Sequence, residues 1–508
     1  MMQWNLISIP NDYPARYRPA TTLGRGGSNA KTTKSWGEKT GSVEDIHGRL
    51  RFGGLWWRHK DGTRRKTAKL KLVLSLVTVV LLGASAVSQA QFFRAQDPGV
   101  RGGAAGAGGA ISGLSADEAE MFTVGQEDFS EEEGVSDGVG PRFNFVGCAG
   151  CHSQPAVGGT SPAVNPLFRV PGELGFTGNV VPSFIKPNGP IREARFQFNS
   201  DRSRDGGVHA LFVITGHSDA KGCIIKQEDF ERQIRNQNII FRIPSPVFGA
   251  GLIEQIPAST ILTNLVANSS TKSDLGISGR VNRNGNDGTI TRFGWKAQNQ
   301  SLLLFSGEAY NVEMGITNEL FQIERDETKD CQFAAVPNDV TQSVRQIGAI
   351  ENFANFQRFL APPTPSLDTP GGAASIARGR RQFSEVGCIH CHTPTLRTGN
   401  ATVAALANKD VNLFSDLALH AMGPDLADDI LQGAARGDEF RTAPLWGLGK
   451  RIFFLHDGRT DDLLEAIEAH RSSGNSSFGP SEANNVIDKF NRLDEGATQD
   501  VLNFLRSL

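Results

Sequence analysis

The pattern of apolar residues predicts helices in several parts of this chain. Near the C-terminus, apolar residues recur at the spacing of one buried helix face. They are Val501, Leu502, Phe504, Leu505 and Leu508. Ser115 and Glu118 have the spacing of a capping box, which predicts a helix running towards Phe129. Residues 373–382 have the pattern of a further helix, and residues 210–215 that of a short strand. We therefore expect a mainly α fold.

The longest apolar run lies close to the N-terminus. It extends from Leu72 to Leu82, follows a basic stretch and is succeeded by small residues. This order predicts a secretory signal peptide over residues 66–90. The run is short for a bilayer span, which favours a cleaved signal. An uncleaved anchor is the alternative, and it would be the only membrane contact we expect. Residues 1–65 precede this signal without periodic pattern, and we interpret them as a disordered or artefactual extension.

Charge and composition divide the rest of the chain. Residues 1–90 are rich in Lys and Arg, whereas the remainder carries an acidic excess, which argues against nucleic acid as a partner. The Gly/Ala-rich segment 91–114 is typical of a flexible linker. A proline cluster that follows Ala361 predicts a boundary between residues 115–360 and residues 361–508.

Two copies of a Cys-x-x-Cys-His motif are the strongest chemical signal. The copies are Cys148, Cys151, His152 and Cys388, Cys391, His392. This motif is the attachment site of c-type haem, in which both thiols bind the porphyrin and the adjacent histidine becomes the proximal iron ligand. A four-thiolate zinc site would leave both histidines unexplained, and a redox dithiol needs a strand–helix context that is missing here. We predict two covalently bound haems in a periplasmic or otherwise exported protein.

A weak internal repeat accompanies the two motifs. Phe241-Arg242 is followed by a Pro-x-x-Gly segment, and Phe440-Arg441 is followed by a similar one, in the same order after each motif. The spacing is longer in the first half. We therefore predict two cytochrome-c-like haem domains, the first with a loop-rich, partly β insertion.

The other cysteines and histidines leave several choices open. Cys223 and Cys331 can form a disulfide in an oxidising compartment or remain two separate thiols. A six-coordinate haem needs a second axial ligand, for which His420 and His470 are candidates. A hydrogen-bonded structural role is the alternative for either histidine.

Several segments resemble the di-haem oxidoreductase family, also called thiol-oxidoreductase-like and related to bacterial di-haem cytochrome c peroxidases. They are residues 150–159, 205–209, 292–297, 314–317, 441–447 and 454–459, and the resemblance extends over residues 115–508. It implies a peroxidase-type oxidoreductase that passes electrons between two haems and exchanges them with a small redox protein or another soluble donor or acceptor. The alternatives are an electron-transfer cytochrome without catalysis and an oxygenase or protein-modifying enzyme on the same scaffold.

The resemblance also implies catalytic residues. Glu313 matches a distal glutamate that handles the protons of a bound peroxide, and Trp295 matches a tryptophan between the haems. The relatives also carry a distal glutamine, whereas this chain has the apolar stretch 302–305 in that place. An ion-paired or helix-capping carboxylate is the alternative for Glu313, and core packing is the alternative for Trp295.

Two further ligand sets follow from the same resemblance. His470 closes a predicted helix where the peroxidases carry a methionine ligand, with His420 as its rival. Thr442 and Pro444 lie where the peroxidases offer backbone carbonyls to Ca²⁺. The remaining calcium ligand would fall near Arg242, whose side chain cannot bind a cation.

Overall fold

The computed structural model describes residues 94–173, 178–344 and 346–508. The predicted signal peptide and the extension before it lie outside these residues. The described residues belong to one compact unit, Ala90–Leu508. Within them, no helix is both long enough and apolar enough to cross a membrane.

The helices are mostly short. The α-helices are α1 (Ala116–Ser130), α2 (Cys148–Cys151), α3 (Val170–Glu173), α4 (Phe230–Arg235), α5 (Ala250–Glu254), α6 (Ala258–Val266), α7 (Ser269–Asp274), α8 (Leu302–Met314), α9 (Ala349–Phe359), α10 (Gly372–Val386), α11 (Leu463–Glu468), α12 (Asn484–Phe490) and α13 (Glu495–Ser507). Single 3-10 turns occupy Pro166–Phe168, Lys329–Cys331, Cys388–His390 and Leu448–Lys450. The capping box at α1 is formed, because the Ser115 hydroxyl accepts from the Glu118 amide and the Glu118 carboxylate accepts from the Ser115 amide. The three predicted helices are confirmed as α1, α10 and α13.

The strands are shorter still and pair antiparallel. They are β1 (Arg142–Phe143), β2 (Glu193–Phe196), β3 (Val208–His209), β4 (Phe212–Val213), β5 (Ile239–Arg242), β6 (Asn282–Arg283), β7 (Ile290–Thr291), β8 (Leu396–Arg397), β9 (Asp410–Val411), β10 (Leu419–Ala421) and β11 (Glu439–Arg441). β2 lies between β3 and β5, with Ala194 opposite both His209 and Phe241. The remaining pairs are β1 with β4, β6 with β7, β8 with β9, and β10 with β11.

The expectation of a mainly α fold therefore needs correction. Helices and small sheets are mixed along the chain, and strands β8 to β11 lie after residue 361, outside the predicted insertion. These late strands are tied to the first half by backbone bonds: the Arg280 amide donates to the Leu419 carbonyl, and the Arg441 amide to the Trp295 carbonyl. Such long-range pairing cannot be read from local periodicity.

Buried apolar residues form two large clusters, and each adjoins one Cys-x-x-Cys-His motif. In the first cluster α1 crosses α9 so closely that a Cβ at Gly125 would collide with the Asn352 carbonyl. In the second cluster α10 crosses α13 in the same manner, and a Cβ at Gly379 would collide with the Asp500 carbonyl. Glycine permits this approach because it has no side chain. A close helix crossing at a glycine therefore occurs in both halves of the chain.

The Gly/Ala-rich segment predicted to be a flexible linker is bound to the rest of the chain. The Arg101 amide donates to the Gly449 carbonyl at 2.7 Å, and the Ile111 amide donates to the Phe359 carbonyl at 2.7 Å. Earlier in the segment, the Asp97 carboxylate receives the guanidinium of Arg506, of which 1% of the side chain is exposed. The segment therefore ties the N-terminal side of the described chain to its last helix.

The two remaining cysteines form a disulfide. Cys223 and Cys331 are bonded with their Cα atoms 4.6 Å apart, although they are separated by 108 positions in the chain. The bond closes the loop-rich segment of the first half, where both residues are buried. The choice that the sequence left open is therefore decided in favour of the bridge.

A buried ionic cluster joins the two halves. Asp428 receives the Arg242 guanidinium at 2.5 Å and the Lys296 ammonium at 2.9 Å, and neither the Asp428 nor the Lys296 side chain is exposed. The Lys296 ammonium also donates to the carbonyls of Arg436 and Glu439. We call Arg242, Lys296 and Asp428 the central cluster.

Removing the carboxylate of the central cluster should destabilise the fold. We expect Asp428→Asn to lower the free energy of unfolding by about 3–5 kcal/mol, because two buried cations lose their counter-charge. Denaturant titration measures this change. Asp429→Asn is the matched control: its partner Arg204 is half exposed, so a loss of about 0–1 kcal/mol is expected. Equal losses in both variants would contradict the role of the cluster.

Candidate functional site

The first Cys-x-x-Cys-His motif lies on a cavity, which we call the first cavity. The single turn of α2 carries both cysteines, and His152 ends that turn. The cavity is also lined by Glu313 from the last turn of α8. Its other polar lining residues are Asn144, Arg192, Glu193, Arg195, Arg242, Ser245, Gln298, Glu308 and Gln357. The first cavity thus combines the motif with many hydrogen-bonding groups.

The second motif lies on another cavity, the second cavity, which is more apolar. A 3-10 turn carries Cys388, and Cys391 and His392 follow it. Apolar side chains from α10, α11, α12 and α13 make much of the wall. Its polar lining residues are His420, Arg441, Thr442, Arg451, His456, His470 and Glu482.

The two motif histidines share the same hydrogen-bonding arrangement. The Nδ1 atom of His152 is 3.0 Å from the Gly159 carbonyl, and that of His392 is 3.1 Å from the Phe414 carbonyl. An Nδ1–H donated to a carbonyl leaves Nε2 with a lone pair, which is the usual arrangement of a metal-binding histidine. Burial lowers the pKa of both histidines to about 4, so both are neutral at pH 7. Each of the two histidines can therefore offer its Nε2 atom to iron.

The same criterion separates the two candidates for a distal ligand. His470 lines the second cavity, and its Nδ1 donates to the Ala466 carbonyl at 2.8 Å, which leaves Nε2 free. Burial lowers the pKa of His470 and so favours the neutral ring. His420 also lines this cavity, but its Nδ1 lies 2.8 Å from Glu482 and its Nε2 lies 3.0 Å from Asp416. Because both ring nitrogens of His420 already face carboxylates, His470 stays the preferred candidate for the distal ligand.

Trp295 lies between the two cavities and lines both of them. Its indole Nε1 donates to the Ile243 carbonyl at 3.0 Å, which fixes the ring. His456 contacts the ring edge-on at 6.4 Å between centroids and stacks on Phe440 at 4.3 Å. Trp295 therefore lines the cavity of each motif, and its role between two haems stays a prediction.

Glu313 is a partly buried carboxyl group that lines the first cavity. Burial, reinforced by the negative charge of Glu193, raises its pKa to about 8, and nearby Arg195 only partly opposes this. Among the described residues Glu313 has no salt-bridge partner, so the ion-paired alternative finds no support. Its side chain is mainly protonated at pH 7 and lines the same cavity as His152.

Two arginines of the second cavity were not predicted as site residues. Arg451 is buried and Arg441 is partly buried, and within the described chain neither has a carboxylate at salt-bridge distance. Burial lowers the pKa of each to about 10, so both remain cationic at neutral pH. Buried charges are normally paired, so these guanidinium groups fit an anionic group of a bound cofactor. Haem, with its apolar ring and propionates, suits this cavity.

One of the two backbone carbonyls expected to bind calcium is already engaged in a hydrogen bond. The Thr442 carbonyl already accepts a hydrogen bond from the Ser415 hydroxyl at 2.6 Å. Arg242, near which the remaining calcium ligand was expected, is bound to Asp428 in the central cluster. No group of three or more His, Cys, Asp or Glu side chains in the described ranges could hold a metal ion.

Comparison with known proteins identifies a family. The profile described as "Di-haem oxidoreductase, putative peroxidase" matches residues 205–508, more than half of the chain. Among solved structures, a MauG-like protein associated with microbial copper homeostasis shares 18% identity over 52% of this chain and 90% of its own, with a TM-score of 0.27. Hydrazine synthase of Kuenenia stuttgartiensis shares 17% identity over 32% of this chain and 55% of its own, with a TM-score of 0.20. A comparison with curated proteins gives no match.

Replacing His470 should change one haem spectrum. We expect His470→Gly to convert a low-spin haem to high spin, because the second cavity loses the free imidazole nitrogen that would complete six-fold coordination. Optical and EPR spectra of the oxidised protein measure this change. His420→Gly is the control and should leave the spin state as it is. A spin change only in the His420 variant would show that His420, and not His470, is the distal ligand.

Proposed function

This chain belongs to the di-haem oxidoreductase family, and from that premise we propose that it is an exported, peroxidase-like enzyme with two covalently bound c-type haems. Family membership itself establishes a di-haem redox role. The substrate, the attachment of the haems and the location are our proposals. One observation carries the choice of a peroxidase: a protonated, partly buried Glu313 shares the first cavity with the first haem motif.

We propose that Cys148 and Cys151 hold one haem and that Cys388 and Cys391 hold the other. All four thiols are free of disulfides, whereas Cys223 and Cys331 are paired. His152 and His392 supply the proximal nitrogens. The haems provide iron that can change oxidation state, which no protein side chain here supplies. Each half of the chain would then be one cytochrome-c-like domain, in keeping with the repeated helix crossing.

In the proposed reaction Glu313 handles protons. A carboxyl group with a pKa of about 8 holds its proton at pH 7 and can donate it to the leaving oxygen of a peroxide. Among the described residues that line the second cavity, the carboxyl group is that of Glu482, which is bound to His420 and whose pKa is lowered to about 2 although burial opposes this. The first cavity is therefore the better place for chemistry, and the second for electron storage.

Electrons would reach the first haem from the second through Trp295. This indole lines both cavities and is fixed by its bond to Ile243. A small redox protein or another soluble donor would supply the electrons. The acidic excess of residues 91–508 suits a soluble partner and not nucleic acid.

One observation favours a second candidate, an electron-transfer cytochrome without catalysis. Met314 is buried beside Glu313 and lines the first cavity. A thioether is a common axial ligand in cytochromes c, and a second axial ligand would close the iron to substrates. The spin state of the first haem separates the two functions: high spin supports the enzyme, and low spin with both haems six-coordinate supports the carrier.

Removing the proton of Glu313 should impair turnover. We expect Glu313→Gln to lower the rate of peroxide-dependent donor oxidation by about 10²–10⁴-fold, the usual contribution of general acid–base catalysis. The wild-type rate should fall as pH rises through about 8, since the protonated form is then lost, and the Gln variant should lack this decline. Steady-state kinetics between about pH 6 and 9, a range that brackets this pKa, measure both effects.

Glu308→Gln is the matched control for Glu313. Glu308 lies on the same helix and lines the same cavity, but its carboxylate is already bonded to the Asn299 amide, and a Gln oxygen can accept that bond. A rate loss as large as that of the Glu313 variant would show that the loss does not depend on the proton of Glu313.

Replacing Trp295 should slow electron transfer between the haems. Trp295→Phe keeps an aromatic ring in the gap but removes the larger indole and its bond to Ile243. We expect the second haem to be reduced at the wild-type rate and the first haem to follow more slowly in stopped-flow absorption. Unchanged kinetics for the first haem would reduce Trp295 to a packing residue.

A further inference from the structure

Asn144 is a buried polar residue of the first cavity with no assigned role. It follows β1, lies four positions before Cys148, and is 8% exposed. Its side chain lines the first cavity together with Glu313. The two residues are also joined through the backbone, because the Asn144 amide donates to the Glu313 carbonyl at 2.7 Å.

The orientation of the Asn144 carboxamide is fixed. Its Oδ1 accepts from the Leu211 amide at 3.0 Å, so the oxygen faces the neighbouring strand segment. The Nδ2 group must then point in the other direction, since the two atoms share one planar group. Within the described residues Nδ2 has no hydrogen-bond partner and no solvent exposure. A buried donor of this kind costs about 1–3 kcal/mol unless a partner is supplied.

The other amides of the cavity do not supply that partner. The Oε1 atoms of Gln298 and Gln357 are likewise buried without a donor in the described chain, although both residues line the same cavity. The Asn144 donor and the two glutamine acceptors therefore line one cavity without hydrogen-bonding to each other. The Nε2 group of Gln357 is used by the Ser306 hydroxyl at 3.0 Å. The Nδ2 group of Asn144 is thus a donor without a partner among the described residues.

We propose that the Nδ2 group of Asn144 donates a hydrogen bond to the oxygen of a small peroxide or to another small anion bound in the first cavity. Asn144 and Glu313 then act on one ligand: the amide orients it and withdraws charge, and the carboxyl group carries the proton. This inference rests on the proposed function, since it needs a first haem that accepts an external ligand. It deepens that function by naming a second substrate-contacting residue.

Fluoride binding to the oxidised protein tests the proposal without turnover. Asn144→Leu keeps the approximate side-chain size and removes the donor. We expect its fluoride dissociation constant to rise by about tenfold or more, the loss typical of one hydrogen bond to a charged acceptor. Carbon monoxide binding to the reduced protein should stay within about twofold, because this neutral ligand accepts hydrogen bonds poorly. An unchanged fluoride affinity, or equal losses for both ligands, overturns the proposal.

Two further measurements keep the outcome clear. Gln357→Leu removes an amide of the same cavity whose donor is already used, and its fluoride affinity should match that of the wild type. If Asn144→Leu does not fold, Asn144→Asp retains the oxygen that Leu211 needs, and wild-type fluoride affinity in that variant overturns the proposal. A wild-type protein that binds neither fluoride nor carbon monoxide at either haem refutes the open first haem, and this inference with it. If the wild type and Asn144→Leu bind fluoride equally well, the role of Asn144 is refuted while the open first haem is not.

Discussion

The arrangement of the two cavities depends on the buried carboxylate of Asp428. Although burial favours its protonated form, Arg242 and Lys296 hold the pKa of Asp428 below its usual range. Arg242 ends β5 in the first half, Lys296 follows Trp295, and Asp428 belongs to the second half. Isolated charges of this kind would be expelled from the interior, so the cluster is stable only when both halves are in place. It couples the docking of the halves to the position of the tryptophan.

The surroundings of this cluster extend the coupling to both cavities. The Ile243 carbonyl, next to Arg242, accepts from the Trp295 indole, while the Ile243 amide donates to the His456 carbonyl. His456 stacks on Phe440, over whose ring the Lys296 ammonium lies at 4.2 Å. A shift of the central cluster would therefore displace groups that line both cavities. The proposed division of work between the cavities rests on their polarity: the first cavity holds Glu313 and unpaired amides, and the second holds the imidazole of His470 in largely apolar walls.

The sequence predicted the local features and missed the long-range ones. The capping box at Ser115, the last helix and the two haem motifs are set by residues close together in the chain, so spacing is enough to find them. Arg451 and Asn144 carry no local signal, because their importance comes from unpaired hydrogen-bonding groups and charges that only the fold creates. The Gly/Ala-rich segment looked flexible, yet backbone groups carry its contacts with Gly449 and Phe359. Hydrogen bonds between backbone groups do not depend on side-chain identity, so the residue types of the segment did not predict them.

The charge around Trp295 bears on how an electron could pass it. At pH 7 the central cluster has two cations and one anion, since burial lowers the pKa of Lys296 only to about 8. A net positive charge close to the indole raises the free energy needed to remove an electron from it, and low polarity strengthens the effect. The same charge would not hinder a neutral indole whose orbitals merely bridge the cavities. For the proposed passage of electrons by way of Trp295, the charge of the central cluster therefore favours bridging through the ring over a lasting oxidised tryptophan.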